Sequence, residues 1–153
     1  MIYNHLGKSG LKVSELCLGT MLFGKETNAK DSQTMIASAL DNGVNFIDTA
    51  DAYVAGESEK LIGRLIKANR NKWVLATKLA NKMNTVPHSG GLSRKWVVEA
   101  CENSLRRLGT DYIDIYYLHK EDHFTPLDET IRAIGLLMTQ GKIRYFGVSN
   151  YRS

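Results

Sequence analysis

Five short β-favouring stretches recur along this chain, and helical patterns separate them. The stretches are ELCLGT (15–20), NFIDTA (45–50), WVLATK (73–78), YIDIYYLH (112–119) and RYFGVSN (144–150). The first helical pattern runs from about Asp31 to Asn42, with Met35, Ile36, Ala39 and Leu40 on one face and Gly43 as its stop. The second, over 58–68, groups Leu61, Ile62, Leu65 and Ile66. The third opens at the N-cap candidate Ser93, spaces Val97, Val98, Cys101, Leu105 and Leu108 helically, and closes at Gly109. The fourth runs from about Leu127 to Gln140, with Gly141 behind it. Apolar residues at helical spacing, bounded by caps and glycine stops, are helix signals. Strand, helix, strand in regular succession is a βαβ series, and its strands must run parallel.

Two architectures satisfy such a series. A doubly wound sheet often carries a glycine fingerprint after its first strand, and no G-x-G-x-x-G occurs in this chain. A (β/α)8 barrel instead gathers its chemistry at the C-terminal ends of successive strands. The segments IYNHL and LKVSEL alternate around GKSG, a good turn sequence, so residues 1–14 read as a hairpin able to plug the bottom of a barrel. The expectation is the N-terminal part of an α/β TIM (β/α)8 barrel, with five of eight parallel strands and that bottom-capping hairpin. Residues 1–153 then form a single incomplete barrel domain, in which 15–153 supply the first five βα units, the last without its helix.

Composition removes several functions. A hydrophobic content of 43% and a charged content of 24% are those of a soluble globular domain. The formal charge of +4 is spread out, and its densest clusters, KANRNK (67–72) and LRRLG (105–109), are interrupted or sit at helix ends. Nucleic-acid binding wants a concentrated basic stripe, so no nucleic-acid partner is expected. Cys17 and Cys101 lie among apolar neighbours and read as two buried thiols rather than a disulfide or zinc framework. No apolar run approaches a membrane span, MIYNHLGKSG lacks the apolar core of a signal peptide, and no N-glycosylation sequon occurs. The expected setting is cytoplasmic, with no membrane partner.

The strand ends carry the chemistry. They finish in Gly19 and Thr20, in Asp48 with Tyr53 close behind, in Lys78, in His119, and in Ser149 and Asn150. A lone polar residue after a strand is ordinarily a solvated loop residue. An Asp, a Tyr, a Lys and a His at equivalent places on three consecutive strands converge, in a barrel, on one bowl. A tyrosine hydroxyl titrates near 10 and is a weak acid at neutrality, but an adjacent ammonium stabilises its phenolate. A carboxylate can hold that ammonium, and a histidine can orient a carbonyl oxygen. Such a set suits protonation of a carbonyl oxygen as hydride reaches the carbon, or the reverse. The second carboxylate of the stretch, Asp51, reads as a solvated loop residue.

The motifs LGT (18–20), GVNFIDTADAY (43–53), GESE (56–59), ATK (76–78), GLSR (91–94), SLRRLGTDYIDIYYLH (104–119) and GKIRYFGVSN (141–150) cover nearly the whole chain. In them the chain resembles the aldo-keto reductase family, nearest its bacterial oxidoreductase branch, which is also similar to the β subunits of voltage-gated potassium channels. The resemblance implies reduction of a small aldehyde or ketone by NADPH, with NADH possible in its place. It implies Tyr53 as general acid, Lys78 as the group that tunes it, Asp48 paired with Lys78, and His119 orienting the carbonyl. It also implies that Ser149 and Asn150 hold the nicotinamide carboxamide, and that Gly19, Thr20 and Met21, with Asp48, lie beside the nicotinamide ribose. Two positions depart from the pattern. Val54 stands where the family often has glycine directly after the tyrosine, and Glu121 where proline is usual after the histidine. Both bear on substrate preference rather than on the tetrad.

Rival readings are weaker. GTMLFGKE (19–26) approaches a P-loop but places Glu26 where a hydroxyl would hold Mg²⁺. HKEDH (119–123) offers ligands for a metal-dependent barrel hydrolase, yet only His119 ends a strand, and no metal site is expected. His5, His88 and His123 read as loop residues. A non-catalytic redox-sensing or interaction protein has no reason to keep a full tetrad. An ordinary barrel needs about 250 residues and takes its phosphate site from its last strands. The chain is therefore expected to lack that site, to bind cofactor weakly, and to expose two strand edges open to self-association.

Overall fold

The computed structural model describes residues 1–152. At the N-terminus β1 (Tyr3–His5) pairs antiparallel with β2 (Lys12–Ser14), and the Leu6 amide meets the Leu11 carbonyl at 2.8 Å across the turn. The βα series follows: β3 (Leu18–Gly19), α1 (Ala29–Asp41), β4 (Phe46–Asp48), α2 (Glu57–Ile66), β5 (Val74–Leu79), α3 (Arg94–Leu108), β6 (Ile113–Leu118), α4 (Leu127–Thr139) and β7 (Ile143–Val148).

Local chemistry sets these boundaries. Helix α1 starts two residues before the expected point because the Asn28 side chain accepts from the Asp31 amide at 2.9 Å. Helix α3 begins after Ser93, whose hydroxyl accepts from the Trp96 amide, and ends where Gly109 turns left-handed at φ 61°. Helix α2 stops at Ile66, and Lys67–Lys72 continue as 3₁₀ turns. There Arg70 ion-pairs with Asp114 at 2.7 Å and also donates to the Trp73 and Tyr112 carbonyls. The basic cluster at 67–72 thus ties α2 to the bottom of the sheet.

All five strands β3–β7 are parallel and lie side by side in chain order. A doubly wound sheet would reverse that order partway; unbroken order is the barrel's. Side chains alternate between the two faces. Ile47, Leu75, Leu79, Tyr116 and Leu118 pack outward against Ile62, Val97, Cys101, Leu108 and Ile134 of the helices. Val74, Ala76 and Ile115 face inward, where Val13, Leu6 and Leu11 of the hairpin meet them with Phe46, Tyr117 and Tyr145. The hairpin caps the inner face at one end, as its alternation predicts. Full burial of a large apolar side chain is worth about 1.5–3 kcal/mol, so the larger outer layer carries most of the stability.

Helices α2 and α3 approach closely at Gly63. A Cβ there would lie 2.1 Å from the Leu108 carbonyl oxygen. Among the described residues β3 and β7 are edges of the five-stranded sheet. Cys17 enters β3 on that edge and is exposed, whereas Cys101 is fully buried. The expectation of two buried thiols fails for Cys17, because among the described residues no strand pairs with β3 on its outer side.

Candidate active site

Parallel register brings the strand ends level. Gly19 lies opposite Asp48, Asp48 opposite Ala76, and Lys78 opposite Tyr117. Asp48 and Lys78 occupy the same inward parity as Val74 and Ala76, so both reach the open end of the inner face. The Lys78 ammonium donates to Asp48 Oδ2 at 2.5 Å, to the Thr49 carbonyl at 2.8 Å and to Tyr53 Oη at 3.1 Å. An ammonium has three protons, and all three are assigned. Because Lys78 donates to the tyrosine oxygen, the proton of Tyr53 is directed elsewhere, free for an external acceptor. A phenolate formed there would sit against a cation that is only 7% exposed.

The His119 ring stands edge-on to Tyr53, centroids 5.9 Å apart at 81°. Asn81 Nδ2 lies 3.1 Å from His119 Nδ1. With that amide donating, a neutral imidazole carries its proton on Nε2 and can donate from it. Burial, and then the Lys78 charge, hold the His119 pKa below its ordinary 6.5, so the ring is neutral at pH 7. The sequence reading missed Asn81 and the Thr49 carbonyl. Asn81 had a usable signal, since it is polar and lies two residues past the end of β5.

The cofactor candidates divide. Ser149 and Asn150 follow β7, and Asn150 Nδ2 donates to the His119 carbonyl at 2.9 Å and to Ser149 Oγ at 3.0 Å. A cavity of about 430 Å³ opens between Gly19, Asp48, Lys78, Tyr117 and Ser149. Met21 is exposed on the neighbouring side of Asp48. Thr20 is buried, and its hydroxyl donates to the Asp48 carbonyl at 2.8 Å and lies 3.2 Å from Ser58 Oγ. Thr20 therefore fixes the Asp48 backbone, and outward contact on this strand falls to Gly19 and Met21.

After Tyr53 the chain makes a left-handed turn, with Val54 at φ 49°, Ala55 at φ 53° and Gly56 at φ 90°. Each non-glycine residue in that region costs about 1–2 kcal/mol. The turn is held from behind. Arg107 packs on Gly56, where a Cβ would lie 2.8 Å from Arg107 Cδ, and its Nε donates to Glu59 Oε2 at 2.6 Å. The other Glu59 oxygen accepts from Thr77 at 2.6 Å. The second basic cluster, like the first, is structural.

Asp51 corrects the sequence reading. It is 1% exposed, not a solvated loop residue. Its amide donates to the Lys78 carbonyl, so ladder pairing continues past β4. Alternation then sends Asp51 to the outer face with Ile47 and Thr49, beneath α2 and α3. Burial, and next Glu59, push its carboxyl up to about 7. His123 is exposed and pairs only with Glu121, and His5 and His88 are also exposed.

Residues 15–153 match the model of the Aldo/keto reductase family. The chain belongs to this family. It is 39% identical, over 99% of its length, to a probable voltage-gated potassium channel subunit beta from Arabidopsis thaliana, covering 47% of that protein. It is 41% identical to the uncharacterized oxidoreductase YrpG of Bacillus subtilis, over 99% of the chain and 50% of that protein. The holo form of aldo-keto reductase AKR11C1 from Bacillus halodurans superposes with a TM-score of 0.90 at 40% identity, covering 99% of this chain and 51% of that one. The chain thus spans about half the length of the relatives it matches. This likeness, together with the unbroken parallel strand order, gives the fold as the TIM-barrel architecture of aldo-keto reductases.

Proposed function

We propose that this chain carries the proton-transfer centre of an NADPH-dependent oxidoreductase that reduces a small aldehyde or ketone to the alcohol. The observation that supports this is the Lys78 ammonium, which bridges Asp48 and Tyr53 Oη with all its protons assigned. Tyr53 donates its proton to the carbonyl oxygen, and Lys78 stabilises the phenolate left behind. Asp48 holds Lys78 in place. His119 donates from Nε2 to the same oxygen and so fixes the carbonyl face.

The residues present fit the nicotinamide end of the cofactor. A carboxamide offers one acceptor and two donor protons. Ser149 lines the cavity with Asp48 and Lys78, and the Asn150 side chain, bonded to Ser149 Oγ, adjoins it; both side chains can donate and accept. Gly19 borders the same cavity, and nothing lies within 4 Å of where its Cβ would be, so its backbone is approachable. NADPH, when bound, would supply the hydride. Gly19 and Met21 would flank its ribose, with Thr20 behind them holding Asp48.

In a complete barrel containing this segment, replacing Tyr53 with Phe should lower aldehyde reduction by about 10²–10⁴-fold, with NADPH fluorescence titration unchanged. Wild-type turnover in that variant would refute the assignment. Titration with NADPH and NADH side by side reads the cofactor preference. Among the described residues β3 and β7 are unpaired sheet edges, which would favour self-association of this segment; a sedimentation profile independent of concentration would count against it. No helix of the described residues is long and apolar enough to cross a membrane.

A further inference from the structure

The alternation of β5 breaks at Ala80, just past its end. Val74 and Ala76 face inward and Leu75 and Leu79 outward, so regular backbone would return Ala80 to the inner face. Instead Ala80 packs with Leu79 in the outer core, 1% exposed, at a φ of 113°. A residue with a Cβ is strained in that conformation, and such strain persists only where the surroundings over-determine it. Two backbone bonds do so. The Ala80 carbonyl accepts from the Gly91 amide at 3.0 Å, and the Leu79 carbonyl accepts from the His119 amide at 2.8 Å. The break shifts the parity by one. Asn81, due on the outer face, is brought instead to the mouth, where its Nδ2 stands 3.1 Å from His119 Nδ1. His119 arrives there with the inward parity of Ile115 and Tyr117 on β6.

The direction of the Asn81–His119 bond decides what the ring can do. A neutral imidazole has one donor nitrogen and one acceptor. With Nδ1 accepting from the amide, Nε2 carries the proton, and His119 joins Tyr53 as a second donor to one carbonyl oxygen. With the amide oxygen turned to the ring, Nδ1 would hold the proton and Nε2 would be bare. A bare Nε2 repels the carbonyl lone pairs and acts as a base toward Tyr53, whose proton is not engaged because Lys78 donates to the tyrosine oxygen. Among the described residues Asn81 is the one group bonded to either ring nitrogen. The charges that act on the ring are Lys78 of β5, Asp48 of β4 and the adjacent Lys120, with the Tyr53 ring edge-on to it.

We propose that Asn81 is a positioning residue for His119. Swung to the mouth by the strained Ala80, its amide donates to Nδ1 and keeps the ring a donor rather than a base. This role rests on the carbonyl reduction proposed above.

The test is nuclear magnetic resonance of the purified chain labelled with ¹⁵N, without cofactor. Loss of a signal in His119→Gln assigns that residue among the four histidines. Long-range ¹H–¹⁵N spectra at pH 8 should show Nε2 protonated and Nδ1 bare. Asn81→Asp replaces the donor with a carboxylate, which can only accept. It should move the proton of the neutral ring to Nδ1 and raise the His119 midpoint above 6.5, since a carboxylate favours the imidazolium. In a complete barrel containing this segment, Asn81→Asp should lower kcat for aldehyde reduction about 10²–10³-fold at pH 8, the effect of one lost donor to a developing oxyanion, with KM little changed. Turnover should recover as pH falls through the raised midpoint, because the imidazolium regains the Nε2 proton; a variant damaged only in its structure would not recover. Should Asn81→Asp fail to fold, the wild-type chain decides alone, because a scalar coupling between Asn81 Nδ2 and His119 Nδ1 exists only when that amide donates to that nitrogen. A wild-type ring protonated on Nδ1, absence of the coupling, a tautomer that ignores Asn81→Asp, or a turnover loss without acid recovery would each overturn the proposal. Wild-type turnover in Tyr53→Phe would instead remove the reductase reading and leave the tautomer result standing.

Discussion

Gly63→Ala sets two opposing effects against each other. In a helix interior, Ala is favoured over Gly by about 0.8–1 kcal/mol, so propensity alone would stabilise the variant. Packing says the reverse. The new Cβ would lie 2.1 Å from the Leu108 carbonyl oxygen, 2.5 Å from its carbon and 2.7 Å from its Cα. All three are backbone atoms and cannot swing aside. Ordinary van der Waals contact begins at 3.4 Å, so α2 and the end of α3 must part by about 1 Å, since non-bonded carbon atoms rest near 3.5–4 Å. That separation loosens the fully buried Ile62 and the nearly buried Leu108 and stretches the Glu59–Arg107 pair. Overpacking a core typically costs about 1–3 kcal/mol, and more where backbone must move. The net expectation is a loss of about 2 kcal/mol. Gly135→Ala is the matched control: it sits in α4, and a Cβ there meets nothing within 4 Å. It should gain up to about 1 kcal/mol. Urea denaturation followed by far-ultraviolet circular dichroism measures both. If Gly63→Ala matched or exceeded wild-type stability, the close α2–α3 approach would be refuted.

Arg107→Leu leaves the Glu59 carboxylate, 0% exposed, without its ion-pair partner; a loss of about 3–5 kcal/mol is expected in the same denaturation assay. The His119 imidazole should titrate below 6.5 by NMR, and Lys78→Met should move that titration upward, because the Lys78 charge is the second cause of the depression after burial. Since the folded form favours neutral His119, the stability it contributes is present above pH 6.5 and is lost as pH falls below that value. Asp51 has the opposite sense. Its folded carboxyl holds a proton up to about pH 7, whereas the unfolded one loses it near 3.8, so wild-type stability should fall as pH rises between those values. Asp51→Asn should remove that slope and leave the variant the more stable by a few kcal/mol above pH 7, at about 1.4 kcal/mol per pKa unit; denaturation at pH 5 and pH 8 reads the difference.

Much of this protein is local, and local features are legible in a chain of residues. The βα alternation, the Ser93 cap, the glycine stops and the hairpin at residues 1–14 are short-range signals, and the structure follows them within a few residues. The tetrad was legible for a related reason. Parallel strands in chain order bring their ends level, so residues that finish successive strands must meet, and Asp48, Lys78 and His119 do. What surrounds them was decided only by the fold. Asp51 was misjudged because its polarity suggested water, whereas the ladder bond to Lys78 extends the strand and carries the carboxyl beneath two helices. Cys17 is exposed although its neighbours in sequence are apolar, because among the described residues it lies on the unpaired side of the sheet. Glu59 reaches Arg107 across 48 residues, and Asn81 reaches His119 across 38. Periodicity tells which face of a strand or helix a residue occupies. Which residues from elsewhere arrive to cover that face depends on how the helices dock, and that is set by packing across the whole sheet rather than by any segment alone.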